Sequence, residues 1–265
     1  MNGSVSLLIA LVSYGNSYLT SGTFTHILDF NNSTLVYNNT LSFTDGTYPL
    51  KTDVIANDPQ EWFAYLKKDG CKKLKIYYKH SKDQSRSMDF ETAGFVGGGG
   101  DWIIEAVYNS YSNYWRFKQD VTKPKAANNR IWGTQFFVIK HKPSTKKIPS
   151  INISKSNLAV SLKHIMNFAF KVNRKNWAEQ FEKAIKNLDD PNPTVDFYKD
   201  FIPPNTLSLQ AKQLLFSASI SDVFGGMGSW NDALYDTNED NDLNNTLSAD
   251  LFDKINEAIT AALNN

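Results

Sequence analysis

The chain has 265 residues, of which 41% are hydrophobic and 13% are aromatic, so it can build a well-filled core and is not disordered as a whole. Its formal net charge of +1 argues against a dedicated nucleic-acid-binding protein, because such domains carry a clear basic excess. Cys71 is the only cysteine, which excludes an intrachain disulfide bond and a thiolate zinc site, and we therefore expect a cytoplasmic protein.

The charges are divided unevenly along the chain. Residues 1–150 contain 18 Lys and Arg against 12 Asp and Glu, whereas residues 151–265 contain 10 against 15. Opposite net charges favour docking of the two halves onto each other, and we prefer this interpretation to two separate charged partners.

The first apolar run, residues 5–14, ends at Gly15 and Asn16 and predicts a buried central strand. It is too short to span a membrane, and no Lys or Arg precedes it as in a signal peptide, so no membrane association is expected. Residues 24–30 and 35–43 are rich in β-branched and aromatic residues, and the asparagine-rich turn between them predicts two strands of an antiparallel meander.

Residues 58–70 carry the strongest local signal for a helix. Asp58 is a good N-cap, Pro59 suits the first helical position, and Glu61 completes a capping box. Gly70 then predicts the end of this helix. In residues 74–80, apolar side chains alternate with lysines, which predicts a half-exposed strand.

Three further strands are predicted at residues 101–108, 114–119 and 131–140. Each of them carries one tryptophan: Trp102, Trp115 and Trp132. Aromatic faces stack well on sugars and bases, so the three side chains could line a ligand-binding groove. The simpler alternative, which we prefer, is that they pack beneath the C-terminal helices.

Four glycines at residues 97–100 precede the first of these strands. They do not match a phosphate-binding loop, because the residues after them read as a strand and not as a helix. Asp101 and Glu105 are the nearest acids and are candidates for a ligand-binding or catalytic site. Glu105 lies on an apolar strand face, so we expect it to pair with Arg116 or Arg130, or else to have a raised pKa.

Residues 140–153 are basic, contain proline and lack periodicity, which places a domain boundary there. The expected domains are a β-rich unit at residues 1–143 and a helical unit at residues 151–265. The fold class is therefore α+β: a mainly antiparallel N-terminal sheet with one inserted helix, followed by a C-terminal bundle of about four helices.

Hydrophobic periodicity sets the expected helices of the second half. A helical pattern covers residues 156–188, with a break near residues 172–175 that divides it into two helices. The next helix begins after Thr206 or Ser208, either of which can be its N-cap. The last begins near Ser248, and the acidic residues before it are expected to form a solvated loop.

The stretch at residues 222–232, DVFGGMGSWND, differs most sharply from its surroundings. Its GGMGSWND part resembles a sequence near the C-terminal side of uncharacterised small helical bacterial proteins, and this resemblance implies a bacterial protein but no activity. The glycines predict a chain reversal that Trp230 anchors. The alternative is a polar site for a ligand or partner, formed by Asp222, Asn231 and Asp232.

Residues 236–242 match a calcium-binding loop only in part, because Asn241 replaces the turn glycine and Leu247 the bidentate glutamate, so neither a metal nor a cofactor is predicted. The four histidines do not have the spacing of zinc ligands, and no nucleophile elbow accompanies a Ser/His/Asp set. Catalysis is therefore not the preferred function.

The preferred hypothesis is a non-catalytic bacterial cytoplasmic protein that binds another protein, such as an immunity-type protein that neutralises a toxin, or a toxin accessory protein. One alternative is a hydrolase that uses the carboxylates of Asp101, Glu105, Asp222 and Asp232. Another is a carbohydrate- or nucleotide-binding module that uses the strand tryptophans. Trp102, Trp115, Trp132, Trp230 and Asn231 are the candidate contacts to a ligand or partner.

Overall fold

The computed structural model of the chain describes residues 1–46, 53–81, 89–93, 99–142, 147–225 and 228–265. Within these ranges it has the expected α+β architecture, with a six-stranded sheet in the N-terminal half and helices in the C-terminal half. Every helix in the described ranges is too short or too polar to cross a membrane.

The helices and strands follow one another in a simple chain order. They are α1 (Gly3–Ser21), β1 (Asn38–Asp45), β2 (Asp53–Ala56), α2 (Pro59–Lys68), β3 (Lys73–Lys79), α3 (Asp89–Thr92), β4 (Asp101–Val107), β5 (Ser112–Val121), β6 (Trp132–Lys142), α4 (Ile151–Lys171), α5 (Lys175–Asn187), α6 (Leu209–Ser221) and α7 (Asn238–Asn264).

The sheet has the strand order β2-β1-β6-β5-β4-β3. Four neighbouring pairs are antiparallel, as expected, and β1 and β6 are parallel. A parallel pair needs a long connection, and here the chain from β2 to β5 supplies it. The helix-facing side of the sheet carries Ile104, Trp115 and Phe136 and is covered by α1 and α2. The opposite side is called the far side below.

The expectation of a strand at residues 5–14 is wrong, because these residues lie in α1. The Oδ1 atom of Asn2 accepts a hydrogen bond from the Ser4 amide at 2.9 Å and caps the helix, and Gly22 ends it with a φ of 75°. α1 contacts α2, β3, β4 and α7, so it is surrounded by protein. A helix buried on all sides has a continuous apolar sequence without a 3.6-residue period, and such a run resembles a buried strand.

The next two strand predictions are corrected in part. Residues 24–30 form no strand, and in the segment 35–43 the strand β1 begins only at Asn38. Before β1, residues 29–38 form a series of turns closed by main-chain hydrogen bonds such as that from Leu35 to Asn32. In these segments Leu28 and Leu35 are buried, whereas the side chains of Phe24, Ile27 and Tyr37 are exposed.

The predicted helix after residue 58 is confirmed as α2. The Asp58 carboxylate accepts a hydrogen bond from the Glu61 amide at 2.8 Å, and Glu61 in turn accepts from the Asn57 amide at 2.8 Å. Gly70 has a φ of 87°, the left-handed conformation that favours glycine after a helix. The ring of Trp62 stacks on Phe43 with centroids 4.3 Å apart, so α2 packs on the helix-facing side of the sheet.

The C-terminal half contains the four expected helices, α4 to α7. The predicted break is confirmed, because α4 ends at Lys171 and α5 begins at Lys175. Ser208 is the N-cap of α6, and its hydroxyl accepts a hydrogen bond from the Ala211 amide at 3.2 Å.

The predicted start of the last helix is wrong by ten residues, since α7 begins at Asn238 and not near Ser248. Thr237 caps it by accepting a hydrogen bond from the Asp240 amide at 3.1 Å. The acidic segment expected to be a loop therefore forms the first turns of α7. Acidic side chains are favourable there because the helix dipole is positive at its N-terminus.

Apolar packing and hydrogen bonds join the two halves. Their buried side chains belong to one cluster, and the carboxamide of Asn264 both donates to and accepts from the main chain of Ile76, at 2.8 and 2.9 Å. Each ion pair of a Lys or Arg in the described ranges joins two residues of the same half. The expectation that opposite charges hold the halves together is therefore not supported; His80 and Asp253, 3.6 Å apart, are the cross-half contact of this kind in those ranges.

Candidate functional site

A cavity of about 560 Å³ lies where one end of the sheet meets α1 and α7, and we call it the cleft. Its aromatic residues come from several elements: Tyr78, Trp102, Phe117 and Trp132 from the sheet, Tyr37 from the segment before β1, Tyr198 from the α5–α6 connection, Phe224 from the segment after α6 and Phe252 from α7. Such a volume is typical of sites for small molecules.

Apart from Asp222, the charged residues that line the cleft belong to β4 and β5, and the strand pleat turns their side chains to the far side of the sheet. Phe117 lies opposite Phe136 on the helix-facing side, so its neighbours Arg116 and Lys118 point the other way. Arg116 forms an ion pair with Asp101 at 2.7 Å, which fixes Asp101 on the far side as well. The described inner wall of the cleft is therefore mainly aromatic and amide-bearing, and the carboxylate of Asp222 is its charged group.

Asp222 ties α6 to α1. It follows the last residue of α6, and its Oδ2 atom accepts a hydrogen bond from the main-chain amide of Asn2 at 3.1 Å. A carboxylate at a helix N-terminus is stabilised by the helix dipole. This position gives Asp222 a structural role in the wall of the cleft.

A chain of hydrogen bonds runs along the polar part of the wall. Ser4 donates to Gln119 at 2.6 Å, Gln119 donates to Thr134 at 3.1 Å, and Thr134 donates to the Oδ1 atom of Asn38 at 2.6 Å. The Nδ2 group of Asn38 takes no part in this chain. These hydrogen bonds hold the side chains of Ser4, Gln119, Thr134 and Asn38 in fixed orientations before any ligand binds.

Asn256 is the polar residue that α7 contributes to the cleft. It lies on the same helix face as Phe252 and Ile259, and its side chain is 6% exposed. Its Nδ2 group is buried and has no hydrogen-bond partner in the described part of the chain. Most buried polar groups in proteins are hydrogen-bonded, so this amide is available to a partner beyond the described residues.

Tyr198 is held in the wall with a φ of 52°. Of the four non-glycine residues with positive φ in the described ranges, the other three are asparagines, which tolerate this conformation better. Such a conformation costs about 1–3 kcal/mol and is found most often at functional sites. Burial, with smaller effects of Tyr37 and Asp222, raises the pKa of the Tyr198 phenol, which therefore stays protonated.

A buried carboxylate, Asp89, supports the adjoining wall. It accepts hydrogen bonds from Tyr78 at 2.8 Å and from Ser81, and it lies 3.1 Å from Nδ1 of His80. Burial raises the pKa of Asp89, but the hydrogen bonds from Ser81, Tyr78 and His80 lower it by more, so the net pKa is below its usual value. Tyr78 also accepts from the Gly100 amide at 3.0 Å, which joins the cleft wall to the carboxylate.

Asp89 and Asn256 were both missed in the sequence. Asp89 follows a polar segment that predicts only a loop, and Asn256 is one of many asparagines. Helical spacing on α7 was the available signal, because Asn256 falls on the buried stripe with Leu251, Ile255 and Ile259.

Glu105 lies on the far side of the sheet, as its strand register predicts. It is fully buried, and one of its oxygens accepts a hydrogen bond from Tyr114 at 3.3 Å. The expected pairing with an arginine is wrong: Arg116 binds Asp101, and Arg130 donates to the main-chain oxygen of Phe30 at 2.8 Å. The hydroxyl of Tyr114, and not an arginine, donates a hydrogen bond to the Glu105 carboxylate.

The four candidate carboxylates do not converge. Asp101 and Glu105 are on the far side of the sheet, and Asp222 is on the helix-facing side. Asp232 accepts a hydrogen bond from the Gly228 amide within its own turn. Asp101 and Asp222 both border the cleft, but Glu105 and Asp232 are not among the residues that line it, so the four acids do not share one pocket as a hydrolase that uses them together would need.

The candidate tryptophans are divided between the cleft and the core. Trp102 and Trp132 line the cleft. Trp115 is 1% exposed and packs edge-on against Trp62. Trp230 is fully buried in the helical half, where its indole donates to Ser248 at 2.8 Å. The groove of three strand tryptophans is thus reduced to two.

Asn231, the last candidate contact residue, has a structural role. Asn231 donates to the main-chain oxygen of Phe90 at 2.9 Å and so attaches the chain reversal to α3. Residues 97, 98, 226 and 227 of the two glycine-rich stretches lie outside the described ranges, and Gly99 and Gly100 line the cleft.

Metal and thiol chemistry find no support in the described residues. They contain no group of three His, Cys, Asp or Glu side chains that could hold a metal ion. Cys71 is buried, and burial raises the pKa of its thiol to about 12, which keeps it in the unreactive protonated form.

Comparison of the chain with protein-family models, with curated proteins and with solved structures found no match. The function must therefore be argued from the geometry of the cleft.

Proposed function

We propose that the chain binds a small uncharged ligand with a flat ring face, such as a carbohydrate or a nucleoside, in the cleft. The observation that carries this proposal is the set of aromatic side chains around a buried amide that has no partner in the described residues. Aromatic faces stack on sugar and base rings, and a few polar groups then set the orientation of the ligand.

The charges around the cleft support an uncharged ligand. Arg116 and Lys118 have their side chains on the far side, and the carboxylate of Asp222 is occupied by the Asn2 amide. A phosphate group would find no cationic side chain on the described inner wall, so a nucleotide fits less well than a nucleoside.

The test is a titration of intrinsic tryptophan fluorescence and melting temperature with glucose, N-acetylglucosamine, adenosine and uridine, and with adenosine monophosphate as the charged comparison. At least one neutral compound should raise the melting temperature, since a ligand at 100 times its Kd stabilises the folded state by about 2.7 kcal/mol. The monophosphate should bind more weakly than adenosine.

Trp132→Ala removes a half-buried ring from the cleft, and Trp177→Ala removes a half-buried ring from α5 outside it. The first substitution should weaken binding at least tenfold and the second should not. Failure of every neutral compound to bind, or an equal loss in both variants, would contradict the proposal.

A protein partner is a second candidate, in the form of the bacterial immunity-type or toxin-accessory protein that the sequence suggests. Phe197 and Leu234 favour it, because their side chains are 74% and 84% exposed on the helical half. Large exposed apolar side chains are common anchors of protein interfaces. If this candidate is right, the chain should co-purify with the product of a neighbouring gene, and Phe197→Ser or Leu234→Ser should weaken that complex.

A further inference from the structure

Two asparagines on α7 show that the burial of Asn256 needs an explanation. Asn264 is 2% exposed, and both ends of its carboxamide bond the main chain of Ile76. Asn256 is buried almost as deeply, at 6%, but its Nδ2 group has no partner in the described residues. A buried amide without a partner opposes folding, whereas a leucine of similar size would not.

The surroundings of Asn256 indicate what its partner must be. Phe252 and Ile259 flank it on α7, and Phe252 stands edge-on to Tyr78 with ring centroids 5.7 Å apart. The Nδ2 group, which carries two N–H donors, thus lies between apolar side chains in this part of the wall. Such a donor selects a ligand that places an acceptor oxygen next to a ring face, as the hydroxyls of a sugar do.

The cleft extends across the sheet from β1 to β3. Asn38 lines it at β1 and Tyr78 lines it at β3, with β6, β5 and β4 between them. At a spacing of about 4.8 Å per strand, these two strands are about 19 Å apart. Trp132 lies beside Asn38, and Trp102 lies beside Tyr78, so an aromatic ring is available towards each end.

We propose that the ligand is a neutral oligosaccharide of at least two rings, which lies across the sheet with a hydroxyl hydrogen-bonded to Asn256 and another ring over Trp132 near Asn38. This inference rests on the proposed ligand-binding function and narrows its ligand class. Asn256 is the residue that sets specificity, and the aromatic side chains provide stacking surfaces.

The experiment compares Asn256→Leu with Asn244→Leu in the full chain. Asn244 is on the same helix and 5% exposed, but it accepts a hydrogen bond from Ser248 and is outside the cleft. Binding is measured by tryptophan fluorescence and by calorimetry with malto-, cello- and chito-oligosaccharides of one to four rings.

For the unsubstituted chain, affinity for one of the three series should rise at least tenfold between one ring and two or three. Asn256→Leu should bind that series at least tenfold more weakly, while its melting temperature without ligand stays the same or rises. Asn244→Leu should show the reverse: unchanged binding and a lower melting temperature. Asn38→Ala should weaken the longer sugars more than the single ring.

The experiment distinguishes failure of this inference from failure of the proposed function. If a sugar or nucleoside binds but both leucine variants bind it equally well, the role of Asn256 is overturned and the proposed function stands. If affinity does not depend on the number of rings, the extended position is overturned. If no compound binds the unsubstituted chain, the proposed function fails and the inference fails with it.

Discussion

Asp89 is a fully buried carboxylate in the described part of the chain, and hydrogen bonds outweigh the cost of its burial. Ser81, Tyr78 and the imidazole of His80 surround its oxygens. Since the folded-state pKa lies below the usual value, the ionised form of Asp89 stabilises the folded protein at every pH above that value.

The first prediction follows from the sign of this shift. An aspartate in the unfolded chain has a pKa of about 3.9, and the pKa of Asp89 in the folded chain is lower. The stabilisation is therefore complete above about pH 4 and is lost as the pH falls through the folded pKa. Asp89→Asn should have a lower free energy of unfolding at pH 7 and a flatter decline below about pH 4, measured by urea denaturation.

Asp250→Asn is the control, because it removes the same charge from an exposed position on α7. It should leave the free energy of unfolding at pH 7 nearly unchanged. An acid-induced decline in Asp89→Asn as steep as in the unsubstituted protein would show that other groups cause it.

Among the elements, α1 packs against α2, β3, β4 and α7, and a glycine permits its close packing. A Cβ atom on Gly15 would lie 2.5 Å from Leu74 of β3 and 2.9 Å from Phe63 of α2. Both neighbours are buried core residues and cannot move into solvent. The glycine therefore serves the approach of α1 to the sheet and does not end the helix.

The second prediction concerns Gly15→Ala. Helix propensity alone predicts a gain of about 1 kcal/mol, whereas overpacking of a core costs about 1–3 kcal/mol. We expect the packing cost to exceed the propensity gain, so the melting temperature should fall. Adding Leu74→Val should restore part of the loss, because it removes the methyl carbon that the new Cβ contacts. A rise in melting temperature for the single variant would refute the close approach.

The elements that were predictable carry their signals within a few residues of one another. The cap at Asp58, the left-handed Gly70 and the break before Lys175 are local features, and all three are confirmed. The structure of residues 5–14 was not predictable in this way, because its lack of amphipathic pattern results from burial by distant elements. The start of α7 was missed because polar residues in a first helical turn resemble a loop.

At the scale of the whole molecule, the sheet and the four C-terminal helices share one cluster of buried side chains. α7 packs directly on β3, and α1 contacts both of them. The cleft lies at the edge of this shared core, and its wall combines side chains from both halves.

The third prediction is that the chain unfolds in one cooperative transition. Heat or urea should give coincident curves for far-ultraviolet circular dichroism and tryptophan fluorescence, because a shared core couples the halves. The transition should stay single in 1 M NaCl, because the Lys and Arg ion pairs in the described ranges lie within one half or the other. Two separate transitions would instead support independent domains at residues 1–143 and 151–265.

The sequence by itself determined the α+β class, the mainly antiparallel sheet, the cap of α2 and the number of C-terminal helices, because turn chemistry and short-range periodicity encode these features. Only the tertiary structure decided which residues face the cleft. Asp101 and Trp102 are adjacent in the chain, yet the pleat of β4 turns one away and the other inward. Asn38 and Asn256 line the same cleft only because α7 packs on the sheet, although the two residues are far apart in the chain.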